Sequence, residues 1–316
     1  MRVCLMIEGQ EDVTWDQWLA LALACEEHGL DGLFRSDHYA PINGPPERRS
    51  LDAWAIISAL AAKTERIRVG ALVSPVTFRH PSVLAKMVVA ADHVSGGRVE
   101  LGMGGGWHRP DHDRFGFPFP DAQVRMELLA EQLEIVHRQW HGERFSFEGR
   151  HYRLHECVSM PRPLQVPHPP LIVGGSGGAT SARLAAIWAD EYNTTSGSRD
   201  EFARRRVRVA EAWEREGRDP ATLRFSVMTG CIVGAARDEV VHRAGRVAER
   251  SRRDGTGEDL IEQVKDAWIV GTVEDAVEQL KALEAAGAGR VMLQHLAHDD
   301  LEMVALIGRD IVPAVA

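Results

Sequence analysis

The stretch whose reading decides the fold is Arg98–Trp107, R-V-E-L-G-M-G-G-G-W. Val99 and Leu101 place apolar side chains on alternate positions, the period of a strand. Glycine then occupies positions 102, 104, 105 and 106. Without a Cβ, such a run lets another group approach the main chain and permits positive φ. Alone, it reads equally well as a turn at a strand end; the flanking elements decide between the two.

Upstream, Val3–Ile7 is a short apolar run, followed by a capping box at Thr14–Gln17 and a helical pattern ended by Gly29. Strand Gly32–Ser36, a Pro/Gly loop, a helix over Leu51–Lys63 and a β-branched strand over Ile67–Val73 come next. Pro81 suits the first turn of a helix that ends near Ser95-Gly96-Gly97. Downstream, residues 108–169 break the rhythm with one helix (about Gln123–Trp140) and a Pro/His-rich irregular stretch. Strand Pro170–Val173 restores it, and strands at Glu191–Thr195, Leu223–Val233 and Arg290–Leu293 follow, with helices between them. A second capping box is expected at Ser198–Glu201. Eight strands separated by helices imply parallel pairing and an α/β fold, a (β/α)₈ TIM barrel, occupying residues 1–316 as one domain with an insertion at about 108–169 between strands four and five.

Composition narrows the function. The 316 residues are 44% hydrophobic and 26% charged, which supports a large core. A formal net charge of −9 argues against nucleic acid as a partner. The four cysteines are scattered, with no Cys-x-x-Cys pair, which points to a reducing compartment rather than a structural zinc site. No apolar run has the length of a signal peptide or a membrane span, so a cytoplasmic protein with no membrane partner is expected.

In a barrel, chemistry gathers at the C-terminal ends of strands. Those ends are Glu8-Gly9-Gln10, Ser36-Asp37-His38-Tyr39, Ser74-Pro75-Val76-Thr77, the run to Trp107, Gly174–Gly178, Asn193-Thr194-Thr195 and Gln294-His295. Gly174–Gly178 precedes a helix N-terminus, where exposed N–H groups and the helix dipole suit a phosphate; it is neither a Walker loop nor G-x-G-x-x-G. His38 titrates near neutral pH, and the adjacent Asp37 carboxylate could orient it, so this pair is the acid/base candidate. His108, Asp111, His112 and Asp113 resemble metal ligands in type, but Pro110 interrupts their helical register; a lid over the mouth is the preferred reading, with no metal.

Five motifs occur in order: S-D-H-Y at 36–39, S-P-V-T-F-R-H-P at 74–81, D-H-V-S-G-G-R-V-E-L-G-M-G-G-G-W at 92–107, P-P-L-I-V-G-G-S-G at 169–177 and I-V-G-T-V-E-D-A at 269–276. Over essentially its whole length the chain resembles the luciferase-like flavin/deazaflavin oxidoreductase superfamily, most closely its F420-dependent branch. The resemblance implies a TIM barrel with an insertion, usually a homodimer, transferring hydride between coenzyme F420 and a small organic substrate such as an alcohol, ketone or activated double bond. The alternative is an FMN-dependent monooxygenase fed by a separate reductase. Asp37 and His38 would face the reactive side of the coenzyme ring, and Ser74 would sit at a non-prolyl cis peptide behind it. Met103, Gly104, Gly105 and Gly106 would line the ring. Gly175, Ser176, Gly177 and Gly178, with Thr194 or Thr195, would hold the phosphate tail, and Trp107 would wall the substrate pocket. Two departures stand out. Sugar-phosphate dehydrogenases of the superfamily place a glutamate where this chain has Trp107, and they hold the substrate phosphate with lysines, whereas Thr194–Asp200 contains none. Relatives also carry acidic residues after the tryptophan; here Arg109 replaces one and Asp111 keeps the other.

Overall fold

A computed structural model describes residues 1–316. Its strands are β1 (Arg2–Ile7), β2 (Gly32–Arg35), β3 (Arg68–Pro75), β4 (Val99–Gly104), β5 (Phe145–Glu148), β6 (Arg153–Cys157), β7 (Leu171–Gly174), β8 (Glu191–Thr195), β9 (Arg224–Gly234), β10 (Ile269–Thr272) and β11 (Arg290–Gln294). Eight of them, β1, β2, β3, β4, β7, β8, β9 and β11, pair in parallel in that order, and β9 pairs with both β8 and β11, which closes the barrel. Helices on the outside join them, as the strand–helix alternation predicts. β10, a ninth parallel strand not expected from the sequence, extends β9 beyond the closed ring.

The barrel interior is layered. At its N-terminal end the guanidinium of Arg290 on β11 donates to Glu100 of β4 and Glu191 of β8, both at 2.8 Å. These three side chains are buried, so each charge needs the others; removing one would strand its partners in a dry interior. Above them lies an apolar layer of Cys4, Met6, Phe34, Leu72, Ile172 and Met292. The larger apolar core sits between barrel and helices. Cys4, Cys25 and Cys231 are buried within these layers, whereas Cys157, at the end of β6, is only partly covered; all four are free thiols.

Local signals shape the helices. Thr14 forms the predicted capping box with Gln17, and Thr256 and Thr272 form two more with Asp259 and Asp275. Ser198 accepts from the Glu201 N–H, but the reciprocal contact is missing, because the Glu201 carboxylate pairs with Arg205 one turn on. The segment between β4 and β7 is more ordered than its composition suggests. Besides the expected helix (Ala122–His141) it contains helix Arg109–Phe115 and the antiparallel β5–β6 hairpin. Pro110 does not break the first of these: it lies in the first turn, where no N–H is needed.

Candidate active site

The C-terminal strand ends converge on a cleft of about 770 Å³. Met6 and Glu8 follow from β1, Ser36 and His38 from β2, and Leu72, Val73 and Pro75 from β3; Gly104, Gly105, Gly106 and Trp107 continue β4. The opposite side is built by Gly174–Ser176 and Gly178–Ser181 after β7, Asn193 and Thr195 of β8, and Met228 of β9. Ala122, Arg125 and Met126 of the insertion helix cover it. A second cavity, at the other end of the barrel around Arg2, Arg224 and Arg290, is remote from these strand ends.

His38 is held by a residue far from it in sequence. Its Nδ1 lies 2.6 Å from Asp111 Oδ2, and the second Asp111 oxygen accepts the N–H groups of Tyr39 (2.8 Å) and Ala40 (2.6 Å). Asp111 is buried on helix Arg109–Phe115, so one carboxylate fastens that helix over the mouth and fixes the imidazole. Burial works against a charged His38. The Asp111 hydrogen bond and the carboxylates of Glu8, Asp111 and Asp37 outweigh it, and its pKa is raised. For Asp111, burial is outweighed by the His38 bond and the two backbone donors, and its pKa is lowered. With Nδ1 engaged, Nε2 is the ring nitrogen left for the cleft. Trp107 and His108 stand edge-on to the His38 ring at 5.7 and 5.4 Å between centroids.

Asp37 does not serve as the partner of His38. Its carboxylate turns into the barrel wall, where Arg79 (2.5 Å) and the Ser74 hydroxyl (2.7 Å) donate to it. Trp54 in turn donates to Ser74 (2.9 Å), and Arg79 bridges to Asp52 (2.9 Å). This chain of bonds, buried at Asp37, Ser74 and Trp54, braces the end of β2 against β3 behind the cleft. Ser74 is therefore behind the lining, not in it. The non-prolyl cis peptide lies between Leu72 and Val73, before Ser74, where the β3–β4 register shifts. Val73, displaced by that shift, reaches the cleft.

The glycines divide by task. A Cβ on Gly102 would collide with the Ala71 carbonyl, and one on Gly104 would lie 2.7 Å from Val73 Cγ2. Both make room for the neighbouring strand, and Gly104 lines the cleft as well. Gly105 and Gly106 line the cleft, and Gly106 has φ +76°. After β7, Gly177 has φ +74° and gives its N–H to Tyr192 Oη (2.8 Å), so it supports the loop from behind. Ser176, Gly178, Ala179 and Thr180 are exposed, and no side chain caps the helix Ala179–Trp188. The N–H groups of Gly178, Ala179 and Thr180 make no bond within the chain. Met103 and Thr194 are fully buried; Thr194 Oγ1 accepts from Arg205 at 2.9 Å, and only Thr195 reaches the cleft.

Sequence reasoning left three contributors without a role. Glu8 is buried at the mouth and receives Gln10 Nε2 (2.7 Å) and Gln294 Nε2; its place on a strand end was the available signal. Arg125 and Met126 enter from the insertion helix, and no strand-end rule points to them. The metal-like residues disperse: His112 bonds Thr77 (2.7 Å) and the His108 carbonyl (3.0 Å), while Asp113 pairs with Arg109 on the surface.

A parallel barrel whose strand ends surround an open helix N-terminus and a held histidine belongs with coenzyme-dependent barrel enzymes. The chain matches the luciferase-like monooxygenase family over residues 3–290, and it belongs to that family. It is 29% identical over 313 residues to the F420-dependent glucose-6-phosphate dehydrogenase of Nakamurella multipartita, covering 93% of this chain and 90% of the relative. Among solved structures it superposes on an F420-dependent secondary alcohol dehydrogenase in complex with an F420–acetone adduct, with TM-score 0.84 and 19% identity over 100% and 99% of the two chains. It also superposes on the monooxygenase RslO1 of Streptomyces bottropensis, with TM-score 0.85 and 22% identity over the full length of both chains.

Proposed function

We propose that this chain is a coenzyme F420-dependent oxidoreductase that transfers hydride between the deazaflavin and a small neutral organic substrate, an alcohol and its ketone being the simplest pair. The carrying observation is a single cleft lined both by His38, whose Nδ1 is engaged by Asp111, and by Gly178, Ala179 and Thr180, whose N–H groups make no bond within the chain. The residues present fit the coenzyme. Val73, Met228 and the glycine backbone of 104–106 offer a flat, largely apolar bed for a ring system, and the open helix N-terminus suits a phosphate. The naming of the Nakamurella relative supports F420 over FMN.

Bound F420 would supply the hydride-accepting carbon. The protein's part is orientation and the proton. Asp111 favours the Nδ1–H tautomer of His38, leaving a lone pair on Nε2. In the alcohol-oxidising direction Nε2 takes the hydroxyl proton as the carbinol C–H leaves as hydride, and the C=O forms. In the reverse direction the imidazolium returns that proton to the carbonyl oxygen. Trp107 forms the outer wall of the substrate end, and Asp37 acts through Ser74 and Arg79 as a brace.

The neutral substrate follows from charge. Arg125 is the single lysine or arginine of the lining, and its guanidinium is occupied by the Pro120 carbonyl and the Phe119 ring. A sugar phosphate would find no free cation in this cleft. The same reading has the enzyme working as a cytoplasmic homodimer. Val83, Val94, Met160, Leu164 and Val166 are exposed along helix Pro81–Ser95 and the segment bonded to it, and the free cysteines suit a reducing compartment. Equilibrium titration with F420 and with FMN tests the coenzyme. Tight FMN binding with none of F420 would replace this reading with an FMN-dependent monooxygenase supplied by a reductase. Turnover of glucose 6-phosphate at a rate matching simple secondary alcohols would overturn the neutral substrate.

A further inference from the structure

Of the large apolar side chains that solvent reaches freely, Trp107 alone lines the cleft, at 63% exposure. Its exposure does not make it loose. The indole meets the rings of His38 and His108 at 5.7 and 5.1 Å between centroids, inclined by 76° and 67°. His108 is buried and stands edge-on to His38 in turn, at 5.4 Å, so three rings brace one another. The backbone before the indole is confined as well: Gly106 has φ +76°, and a Cβ there would lie 3.1 Å from Pro75 Cβ. A water-exposed indole held in one orientation inside a cleft is a surface prepared for an apolar partner.

His38 decides what that partner is attached to. A hydroxyl in reach of Nε2, about 2.6–3.2 Å away, sets the substituents of its carbon within a side chain's length of the indole. A charged substituent finds no free partner: Glu8 receives two amides, and Arg125 is held by Pro120 and Phe119. Two properties favour a flat aromatic ring over an alkyl group. Offset stacking on indole adds attraction beyond the area covered, and a planar ring has no chain torsions to freeze on binding. We propose that the substrate is an aryl carbinol, or the matching aryl ketone, whose ring lies on the open face of Trp107, an assignment resting on the alcohol–ketone reading above. In the simplest case 1-phenylethanol loses its carbinol hydride to F420 and its hydroxyl proton to His38 Nε2, leaving acetophenone.

Steady-state F420 reduction with 1-phenylethanol, 1-cyclohexylethanol and 2-propanol tests this. The first two share their carbon count and differ in flatness. The ratio of kcat/KM for the phenyl over the cyclohexyl alcohol should fall by about two- to ten-fold from wild type to Trp107→Leu, the usual worth of an aromatic pair. The intrinsic reactivity of a benzylic C–H is the same in both proteins and cancels from that comparison. Trp107→Phe should retain part of the preference. With F420 bound, the Kd values of acetophenone and cyclohexyl methyl ketone give the same comparison without turnover, should a variant be inactive. An equal ratio in wild type and Trp107→Leu overturns the aryl assignment while leaving the alcohol–ketone reading intact. So does a wild type that uses 2-propanol with the highest kcat/KM of the three. If none of the alcohols reduces F420 although the coenzyme binds, the alcohol–ketone reading itself fails, and the aryl assignment with it.

Discussion

Gly102 on β4 and Gly178 after β7 belong to neighbouring strands of one barrel, yet a methyl group added to them would meet different surroundings. On Gly102 it would run into the carbonyl of Ala71; on Gly178 its nearest neighbour is Ser181 Oγ at 3.8 Å. The β2–β4 wall of the mouth is crowded: its glycines accommodate protein, and its polar groups are tied into bonds that end in the His38–Asp111 and Asp37–Arg79 pairs. The β7–β8 wall is sparse and offers backbone N–H groups with nothing in front of them. Chemistry that depends on the position of one proton needs the first kind of wall. Holding an anion needs only the second.

The largest effect expected from breaking this division is on the crowded wall. His38→Ala should lower kcat by about 10²–10⁴-fold, the usual worth of a positioned acid/base, with coenzyme affinity little changed. Unchanged turnover of every substrate found would refute the assignment. Asp111→Asn should loosen the lid by about 1.5–3 kcal/mol, the scale of a hydrogen bond to a charged group, read as faster amide exchange across Arg109–Phe115. Gly102→Ala should cost about 1–3 kcal/mol of global stability through overpacking against β3, seen as a lower Tm in calorimetry. Gly178→Ala should leave Tm unchanged and weaken coenzyme binding a few-fold; a fall in Tm there would erase the contrast between the walls.

The smallest effect is the pH dependence of the lid. The raised pKa of His38 contributes stability that is complete below its ordinary value of 6.5 and lost as pH rises through the higher folded value. The lowered pKa of Asp111 contributes stability present above 3.8 and lost as pH falls through the lower folded value. The clamp is therefore at full strength between those two ordinary values. Exchange of the lid amides should accelerate as pH climbs past the folded value for His38, beyond the intrinsic base-catalysed rate. The same measurement on Asp111→Asn should show no such step.

The barrel was readable because its signals are local: β-branched runs, the Thr14 cap and glycines at helix ends lie within a few residues of what they specify. The strand-end rule placed His38, Trp107 and the Gly174–Gly178 loop in the cleft without reference to any contact. What the sequence hid is long-range pairing. Asp111 and His38 are 73 residues apart, and adjacency in the chain made Asp37 look like the partner. Beyond the end of β2 the chain carries the Asp37 carboxylate to Arg79 and Ser74 instead. The β5–β6 hairpin was missed because four- and five-residue strands with charged, exposed positions carry little hydrophobic period. β10 was missed because I-V-G-T leads directly into a strong helix cap.

The distribution of the four cysteines has a practical consequence. Burial pushes the thiols of Cys4 and Cys231 up to about 12 and raises that of Cys25 further, so at neutral pH none of them presents a thiolate. Cys157, partly open at the end of the hairpin, is left as a natural single attachment point. A maleimide dye should couple there alone without engineering, giving an optical reporter on the insertion that covers the mouth.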